Sequence, residues 1–401
     1  MIAFGGISVL LMMFTFREPK REALTLTIKE KLVKMDLGGT VLFISSIICL
    51  FLALELGGNE IPWSDSKAWG LLLGFGLLFI AFVVLQFHLG EKYEYLKVPP
   101  SWYLRLTISS ATIPLRIFLN RSVVLAQIVA VLMMIGMNTH AFYLPFYFQS
   151  AKDLTPATSG IRLLPYLLSV TAAELVTGIS VSKFGVYQPF MVFGTAIFTV
   201  ASSLFCTLQV DTTTAGLVKY QILAGVGFGS SLNICETVVR ANVQDKDIPI
   251  AGALTGFAPF FGGSLAASIG QNVFRSALVR KLLQSVSLDE TAAIVKAGAT
   301  GGVALVDEGM EGIVKEAYNY AVKKTFVMSA VAGGLAFLCT LGLKWRNIKK
   351  PLEEAVDVVE QVKIGEKSDW VCLVSRTELS DVENARSLGS ERHKEVFQCR
   401  I

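Results

Sequence analysis

Charged residues are scarce in this sequence. Aspartate, glutamate, lysine and arginine make up 17% of the chain, whereas hydrophobic residues make up 53%. A soluble chain of 401 residues needs a charged shell around its core, and a mean hydropathy of +0.56 leaves too few charges for one. The charges also cluster between long apolar runs rather than alternating with apolar residues. This composition therefore excludes an ordinary soluble globular protein.

Cysteine and histidine are also rare. The six cysteines are scattered without a CxxC pair, which argues against a disulfide framework or a zinc site. There are three histidines, and no DxxD, HxxxH or GxSxG motif lies inside a hydrophobic run, so an intramembrane enzyme is not favoured either. We accordingly predict no catalytic residue, no metal, no cofactor and no nucleic-acid partner.

Long hydrophobic stretches are what the chain has in quantity. A helix needs about 20 apolar residues to cross a hydrocarbon core of roughly 30 Å, and most of the stretches are near that length. They predict an all-α polytopic membrane protein with the lipid bilayer as a partner. The predicted spans are residues 2–16, 37–56, 68–87, 123–147, 157–181, 189–208, 217–239, 248–273 and 325–343.

Lysine and arginine between the stretches predict the sidedness of the chain, because short cytosolic loops are enriched in both. Residues 17–36 are rich in basic side chains and are placed in the cytosol, whereas residues 57–67 carry one lysine against two acids and are placed outside. The alternation continues through the later short loops. We further predict a cytosolic connector at 88–122, an outer loop at 275–324 and a disordered cytosolic tail at 344–401.

Residues 143–165, YLPFYFQSAKDLTPATSGIRLLP, resemble fungal members of the major facilitator superfamily, in particular the drug:proton antiporter family with fourteen spans. The resemblance continues through GISVSKFGVYQPFM, YQILAGVGFGSSLN and IPIAGALTGFAPFFGGSLAASIGQNVF. It implies that residues 123–343 form the C-terminal six-helix half of that fold and that residues 37–87 are its two linker helices. Residues 1–16 would be part of the last helix of an N-terminal half that is otherwise missing.

Residues 93–110 fit poorly with their surroundings. Their codons can be written to contain the splice signals of a short fungal intron, so one hypothesis is that this segment is translated intron. A genuine cytosolic loop is the alternative. A mature cDNA that retains these codons would exclude the intron.

Three glycine-containing segments resemble motifs of the family, although close helix packing is a simpler explanation for the first and third of them. Residues 256–263 resemble a second-half copy of the antiporter motif, and residues 178–189 a copy of the cytosolic-loop motif with serine in place of its aspartate. Residues 220–229 resemble a third motif without its arginine. The motif-like residues are Gly178, Lys183, Gly185, Gln221, Gly225, Gly256, Pro259, Gly262 and Gly263. For the turn at Lys183 we favour a plain basic loop.

Glu174 is the most informative single residue, because an ionisable group at membrane depth is costly and normally faces a cavity or a partner. At helical spacing, Thr171, Thr177 and Gly178 share its face, which predicts a polar stripe turned away from lipid. Glu174 is thus a candidate for proton coupling or substrate binding. A locally hydrogen-bonded structural glutamate is the alternative.

Asn138, His140 and Asn233 are further candidates for proton coupling or substrate binding inside predicted spans. Histidine titrates near neutrality, yet a lone histidine or asparagine in a membrane helix more often bonds a neighbouring helix. We favour that interpretation for Asn138 and His140. Glu236 lies four residues before Arg240, which predicts an ion pair along one helix.

The resemblance implies a transmembrane transporter. The predicted function is proton-coupled efflux of small amphipathic compounds such as drugs, toxins or secondary metabolites, with such a substrate and protons as partners. The expected location is the plasma membrane or, alternatively, the vacuolar membrane. Substrate binds between two halves in this superfamily, so one half alone is expected not to transport. The alternative function is a non-transporting membrane fragment or adaptor.

Overall fold

The computed structural model describes residues 36–58, 61–95, 115–244, 247–304, 310–345 and 347, and the isolated positions 6, 12 and 15. Side chains are not described at 89–95, 115–116 and 299–304. The predicted segments 1–16 and 17–36 lie almost wholly outside the described residues. The same holds for most of 93–110 and for the tail beyond residue 347.

Helices make up nearly all of the described chain. In the described ranges the backbone forms two isolated bridges and no β-strand. The helices are α1 (Leu37–Leu56), α2 (Ser66–Tyr95), α3 (Leu115–Leu119), α4 (Arg121–Ser150), α5 (Pro156–Ile161), α6 (Leu164–Phe184), α7 (Gln188–Phe205), α8 (Thr214–Gly229), α9 (Leu232–Asn242), α10 (Ile248–Leu282), α11 (Leu288–Ala304) and α12 (Glu311–Leu341).

Eight helical segments of the described chain are long and apolar enough to cross a membrane. α5 and α6 together form one of them, and α8 and α9 form another. Large apolar side chains such as Leu73, Leu77 and Ile179 are exposed on these helices, as expected for spans that face lipid. The predicted all-α polytopic membrane fold is confirmed. The predicted span at residues 2–16 lies outside the described ranges.

The core of the bundle is built around α4. This helix packs against α9, α10 and α12, and its side chains at Val129, Met133, Leu144 and Tyr147 are fully buried. α8 packs against both α6 and α7, and α7 packs against α12. The predicted spans from residue 123 onwards therefore form one continuous helical bundle.

The two helices predicted to be linker helices, α1 and α2, pack against each other, and α1 also packs against α10. The rings of Phe43 and Phe257 lie 5.5 Å apart between centroids. Farther along the same interface, the Asn272 side-chain amide donates a hydrogen bond to the Leu54 carbonyl at 2.6 Å. Aromatic and polar contacts thus attach the linker pair to the bundle.

Polar contacts define one end of the bundle, here called the outer end after the predicted sidedness. The Tyr147 hydroxyl donates to the Gln209 carbonyl at 2.6 Å, which joins the end of α4 to the turn after α7. The Lys315 ammonium group lies 2.7 Å from the Asp153 carboxylate, which joins the first turns of α12 to the segment after α4.

The opposite, inner end contains the turn between α6 and α7 and the end of α12. The Tyr187 hydroxyl donates to the Lys344 carbonyl at 3.0 Å, and the Gln188 amide donates to the Leu343 carbonyl at 2.9 Å. These contacts agree with the predicted alternation, which places both segments on one side. That this side is the cytosol stays a prediction from lysine and arginine.

Residues 275–324, predicted as one outer loop, are helical over most of their described length, which corrects that prediction. α10 continues to Leu282, α11 fills 288–304 and α12 begins at Glu311. Charges such as Lys281, Lys315 and Glu316 lower the local hydropathy, so the search for long apolar runs missed these helical turns.

A capping box begins α11. The Ser287 hydroxyl donates to the Glu290 carboxylate at 2.6 Å, and the Glu290 backbone N–H donates back to that hydroxyl at 3.4 Å. The hydroxyl and the backbone N–H of Ser287 hold the pKa of Glu290 below its usual range. These reciprocal contacts explain why a helix starts in a segment with few apolar residues.

Candidate functional site

A cavity of about 350 Å³ near the inner end brings predicted site residues together. Glu174 lines it from α6 and Asn233 lines it from α9. The other lining residues are Thr177, Gly178, Val181, Ser182, Gly185, Gly229, Ile234 and Thr237. Two of the four polar candidates therefore share one cavity with the motif-like Gly178 and Gly185. We call it the inner cavity.

Glu174 is partly buried, and within the described ranges its carboxylate has no hydrogen bond or ion pair. Thr177, one turn further along α6, is buried and lines the same cavity. Thr171 does not line it, and its hydroxyl donates to the Leu167 carbonyl at 3.1 Å. The polar stripe predicted on α6 is thus confined to the inner part of the helix.

The turn after α6 follows from its local sequence. Gly185 has φ of 72°, a conformation that glycine adopts without strain, and its N–H donates to the Val181 carbonyl at 2.8 Å. The Lys183 ammonium group lies 5.9 Å from the centroid of the Phe184 ring. This geometry fits the plain basic turn that the sequence favoured.

His140 occupies a different place, in the core between α4, α6 and α12. Its side chain is fully buried, with Nε2 2.9 Å from the Ser329 hydroxyl and Nδ1 3.3 Å from the Tyr166 hydroxyl. The rings of Phe198 and Phe205 lie 5.2 and 4.7 Å from the imidazole, between centroids. Both ring nitrogens are used in bonds to neighbouring helices, as expected for a structural histidine.

Asn138 also lies at a helix contact rather than in the inner cavity. Its amide donates to the Met134 carbonyl at 3.0 Å, one turn earlier on α4 itself, and not to a neighbouring helix as predicted. A methyl group placed on Gly263 of α10 would lie 3.0 Å from the same amide, and one on Gly262 would overlap the Val131 carbonyl. Gly262 and Gly263 therefore allow α4 and α10 to approach closely, as predicted for small residues in lipid.

The glycines of α8 face two neighbouring helices. A methyl group on Gly225 would lie 2.6 Å from the Tyr166 carbonyl oxygen, and one on Gly229 would overlap the Val170 carbonyl, both in α6. A methyl group on Gly227 would meet the Phe198 backbone in α7 at 2.5 Å. The predicted close crossing at residues 225–229 is present.

Gln221 lies on the same helix nearer the outer end. It is buried, and its Oε1 has no hydrogen-bond partner among the described residues. Gln221 lines a small cavity of about 160 Å³ together with Lys152 and Arg162. Gln221 therefore lies about two turns of α8 away from Gly229, the residue of this helix that lines the inner cavity.

Gly256 corrects a prediction. It was grouped with the packing glycines, yet it is exposed, and no described atom outside its own helix lies within 4 Å of a methyl group placed there. Pro259 lies inside α10, where it removes the backbone N–H that the Thr255 carbonyl would otherwise bind. Of the three glycines in the antiporter-like segment, Gly262 and Gly263 are the contact positions in the described chain.

Sequence reasoning missed a larger cavity at the outer end. It has a volume of about 840 Å³ and is lined from α4, α10, α11 and α12. Several lining residues fall in the range 275–324, which was treated as a loop. The capping pair Ser287 and Glu290, followed by apolar residues at helical spacing, was the signal that could have revealed α11.

The eight long apolar helical segments of the described chain define a polytopic α-helical membrane protein. No family model matches the sequence. The chain is 34% identical over 348 residues to the MFS-type transporter ltbE of Aspergillus luteorubrus, which covers 86% of this chain and 60% of the relative. It is 32% identical over 349 residues to the efflux pump hmp6 of Hypomyces subiculosus, covering 86% and 58%. For the efflux pump aflT of Aspergillus parasiticus the identity is 30% over 349 residues, covering 86% and 64%.

The chain is therefore homologous to fungal transporters of the major facilitator type over most of its length, and these three relatives are named as transporters or efflux pumps, not enzymes. The chain spans about three-fifths of the length of each. This confirms the predicted resemblance to fungal members of the superfamily. The fourteen spans and the missing N-terminal half stay predictions.

Proposed function

We propose that this chain forms the C-terminal six-helix half and the two linker helices of a proton-coupled exporter of small amphipathic organic molecules. The observation that carries the proposal is the inner cavity, which Glu174 and Asn233 line together from two membrane-spanning segments. The names of the relatives, transporter and efflux pump, support the transport class.

Proton coupling follows from the chemistry of a carboxylate in this place. A charged carboxylate in a membrane helix needs water or a partner, whereas a protonated one tolerates apolar surroundings. Glu174 lines a partly open cavity and has no ion pair within the described chain. Taking up a proton at Glu174 would favour a conformation in which the cavity is closed to water, and releasing it would favour an open one.

The substrate class follows from apolar surfaces with a few polar groups. Ligand sites for organic molecules combine apolar walls with a small number of placed polar side chains. In the inner cavity those polar groups are Thr177, Asn233 and Thr237, beside Val181 and Ile234. A small molecule with one polar edge and one apolar face suits this lining.

We also propose that this chain does not transport substrate by itself. If substrate binds between two halves, as the resemblance implies, these helices supply one wall of the transport pathway. We expect the chain alone, reconstituted in proteoliposomes, to show no saturable, gradient-driven flux of rhodamine or fluorescein. Such flux from this chain alone would contradict a two-half pathway. The proposed location is the plasma membrane, with the inner end in the cytosol.

The decisive experiment is Glu174→Gln in a complete carrier, made by joining the N-terminal half of the ltbE relative to residues 36–401. We expect this change to abolish flux driven by a pH gradient while substrate exchange at equal pH persists, because exchange needs no net proton movement. Glu236→Gln is the matched control, since Glu236 is an exposed acid paired with Arg240. Proton-driven flux that survives Glu174→Gln would remove Glu174 from the mechanism.

A further inference from the structure

The outer-end cavity, here called the outer cavity, lies between the ends of α4 and α10, the first turns of α12, and α11. Its volume of about 840 Å³ is in the range of cavities that hold organic ligands. Its lining residues are Phe142, Tyr143, Phe146, Ala267, Gln271, Phe274, Arg275, Leu278, Val279, Leu288, Thr291, Ala292, Val295, Lys296, Gly298 and Tyr318.

α11 is fixed over this cavity by its own contacts. The Tyr318 hydroxyl of α12 donates to the Gly298 carbonyl at 2.8 Å, at the point where φ of 76° breaks the helix. Ile294 of α11 packs with Leu278 and Leu282 of α10 in a small core separate from that of the main bundle. The cavity is therefore bordered on this side by a packed and hydrogen-bonded helix rather than by a loose loop.

Aromatic rings form the walls of the outer cavity. The Phe274 ring lies 5.3 Å from the Tyr143 ring and 5.4 Å from the Phe146 ring, between centroids. The Tyr318 ring is 6.2 Å from Phe274 on the other side, and Phe142 is half exposed. These separations are typical of tilted aromatic pairs, so a flat aromatic ligand can add to an existing cluster.

The polar groups of the lining are unbalanced in charge. Lys296 is cationic and exposed, and no acidic side chain of the described chain lines the cavity. Thr291 is 2% exposed, and its hydroxyl has no hydrogen-bond partner among the described residues. Because a buried hydroxyl without a partner is costly, it marks a position where a bound ligand can supply the missing hydrogen bond.

We propose that the outer cavity binds an aromatic organic anion, such as a flat aromatic carboxylate or sulfonate. The rings of α4, α10 and α12 contact its apolar face, Lys296 attracts its charge, and the Thr291 hydroxyl donates to it. The proposal deepens the proposed transport function, because it names the class of cargo at the outer end. The role of the outer cavity as a cargo site rests on that function, whereas the binding of an aromatic anion does not depend on it.

Equilibrium binding to the full chain tests the proposal. The chain is placed in nanodiscs of phosphatidylcholine, which has no net charge, and dialysed against radiolabelled naphthoate or its neutral analogue naphthamide. We expect saturable binding of naphthoate, with an affinity about tenfold above that of naphthamide. Equal affinity for the acid and the amide, or no saturable binding of either, would overturn the proposal.

Two variants locate the binding site. Lys296→Gln should weaken naphthoate binding about tenfold and leave naphthamide binding unchanged. Lys219→Gln is the matched control, because Lys219 is an exposed lysine near the outer end of α8 that does not line the cavity. Phe142→Ala should weaken the binding of both compounds. Equal effects of the two lysine changes would mean that naphthoate binds elsewhere or responds only to the net charge of the protein, and either result would contradict the proposal.

The proposal and the proposed function fail in different ways. Loss of proton-driven flux in the complete carrier with intact naphthoate binding would leave the outer site in place and remove the transport role. Proton-driven flux of amphipathic compounds without selective naphthoate binding would support the transport function and overturn the outer binding site.

Discussion

His140 on α4 and Glu174 on α6 are both ionisable side chains within membrane-spanning helices, and their surroundings differ in every respect. The imidazole is fully buried, bonds two other helices and is surrounded by aromatic rings. The carboxylate is partly exposed, lines a cavity and has no partner in the described ranges. An ionisable residue in a membrane helix can therefore stabilise the bundle or remain available for chemistry, and its partners distinguish the two.

The largest expected effect concerns His140→Ala. The change leaves a cavity in the core and removes a partner from the Tyr166 and Ser329 hydroxyls, so we expect the free energy of unfolding to fall by about 3 kcal/mol. Unfolding in mixed micelles titrated with dodecyl sulfate measures it. Glu174→Ala is the comparison, with an expected change below about 0.5 kcal/mol. Similar losses of unfolding free energy for both variants would contradict the assignment of His140 as structural and Glu174 as not structural.

Gly225→Ala should have the next largest effect. Its methyl group would lie 2.6 Å from the Tyr166 carbonyl oxygen and push α6 away from α8. α6 carries both Glu174 and Tyr166, the partner of His140. We expect a loss of about 2 kcal/mol in the same unfolding measurement. Gly256→Ala has open space around it and should be neutral or stabilising by up to about 1 kcal/mol. A harmless Gly225→Ala would contradict the close crossing.

Chemical accessibility gives a third, smaller contrast. With all six native cysteines replaced by alanine, Glu174→Cys should react with a water-soluble maleimide about tenfold faster than Ser329→Cys. Ser329 is fully buried beside His140, whereas position 174 opens into the inner cavity. The rates are read from the mass shift of the intact chain in nanodiscs. Equal rates would mean that position 174 is closed to water.

The smallest effect is expected for Glu236→Gln. Glu236 and Arg240 form an exposed ion pair one turn apart on α9, as the sequence predicted. Exposed pairs of this kind contribute about 0.5 kcal/mol or less, so unfolding should hardly change. A loss comparable to that of His140→Ala would show that charge alone, rather than burial and partners, decides the effect.

The spans and their order could be predicted because each long apolar run reports directly on helix length and lipid exposure. The packing role of Gly225 and Gly262 was also predictable, since a small residue in lipid has few other uses. Gly256 was not distinguishable from them, because the side of a helix that meets a neighbour depends on the rotation of that helix. The sequence alone carries no measure of that rotation.

The inner cavity could be predicted only in part. Glu174 and Asn233 were each identified as polar residues inside spans, but their meeting depends on how α6 and α9 are placed in space. His140 was indistinguishable from them in sequence, since its partners Tyr166 and Ser329 lie on other helices. The outer cavity was missed because charged residues lower the hydropathy of residues 275–324 below that of a span.

The isolated bridge between Val186 and Asn347 has a practical consequence for any experiment with this protein. It holds Asn347 beside the turn at Gly185, which lines the inner cavity. A fluorescent reporter joined directly after residue 347 would therefore lie close to the inner cavity and could obstruct access to it. A spacer of about 20 glycine and serine residues, with a mean reach of about 25 Å, would move the reporter clear.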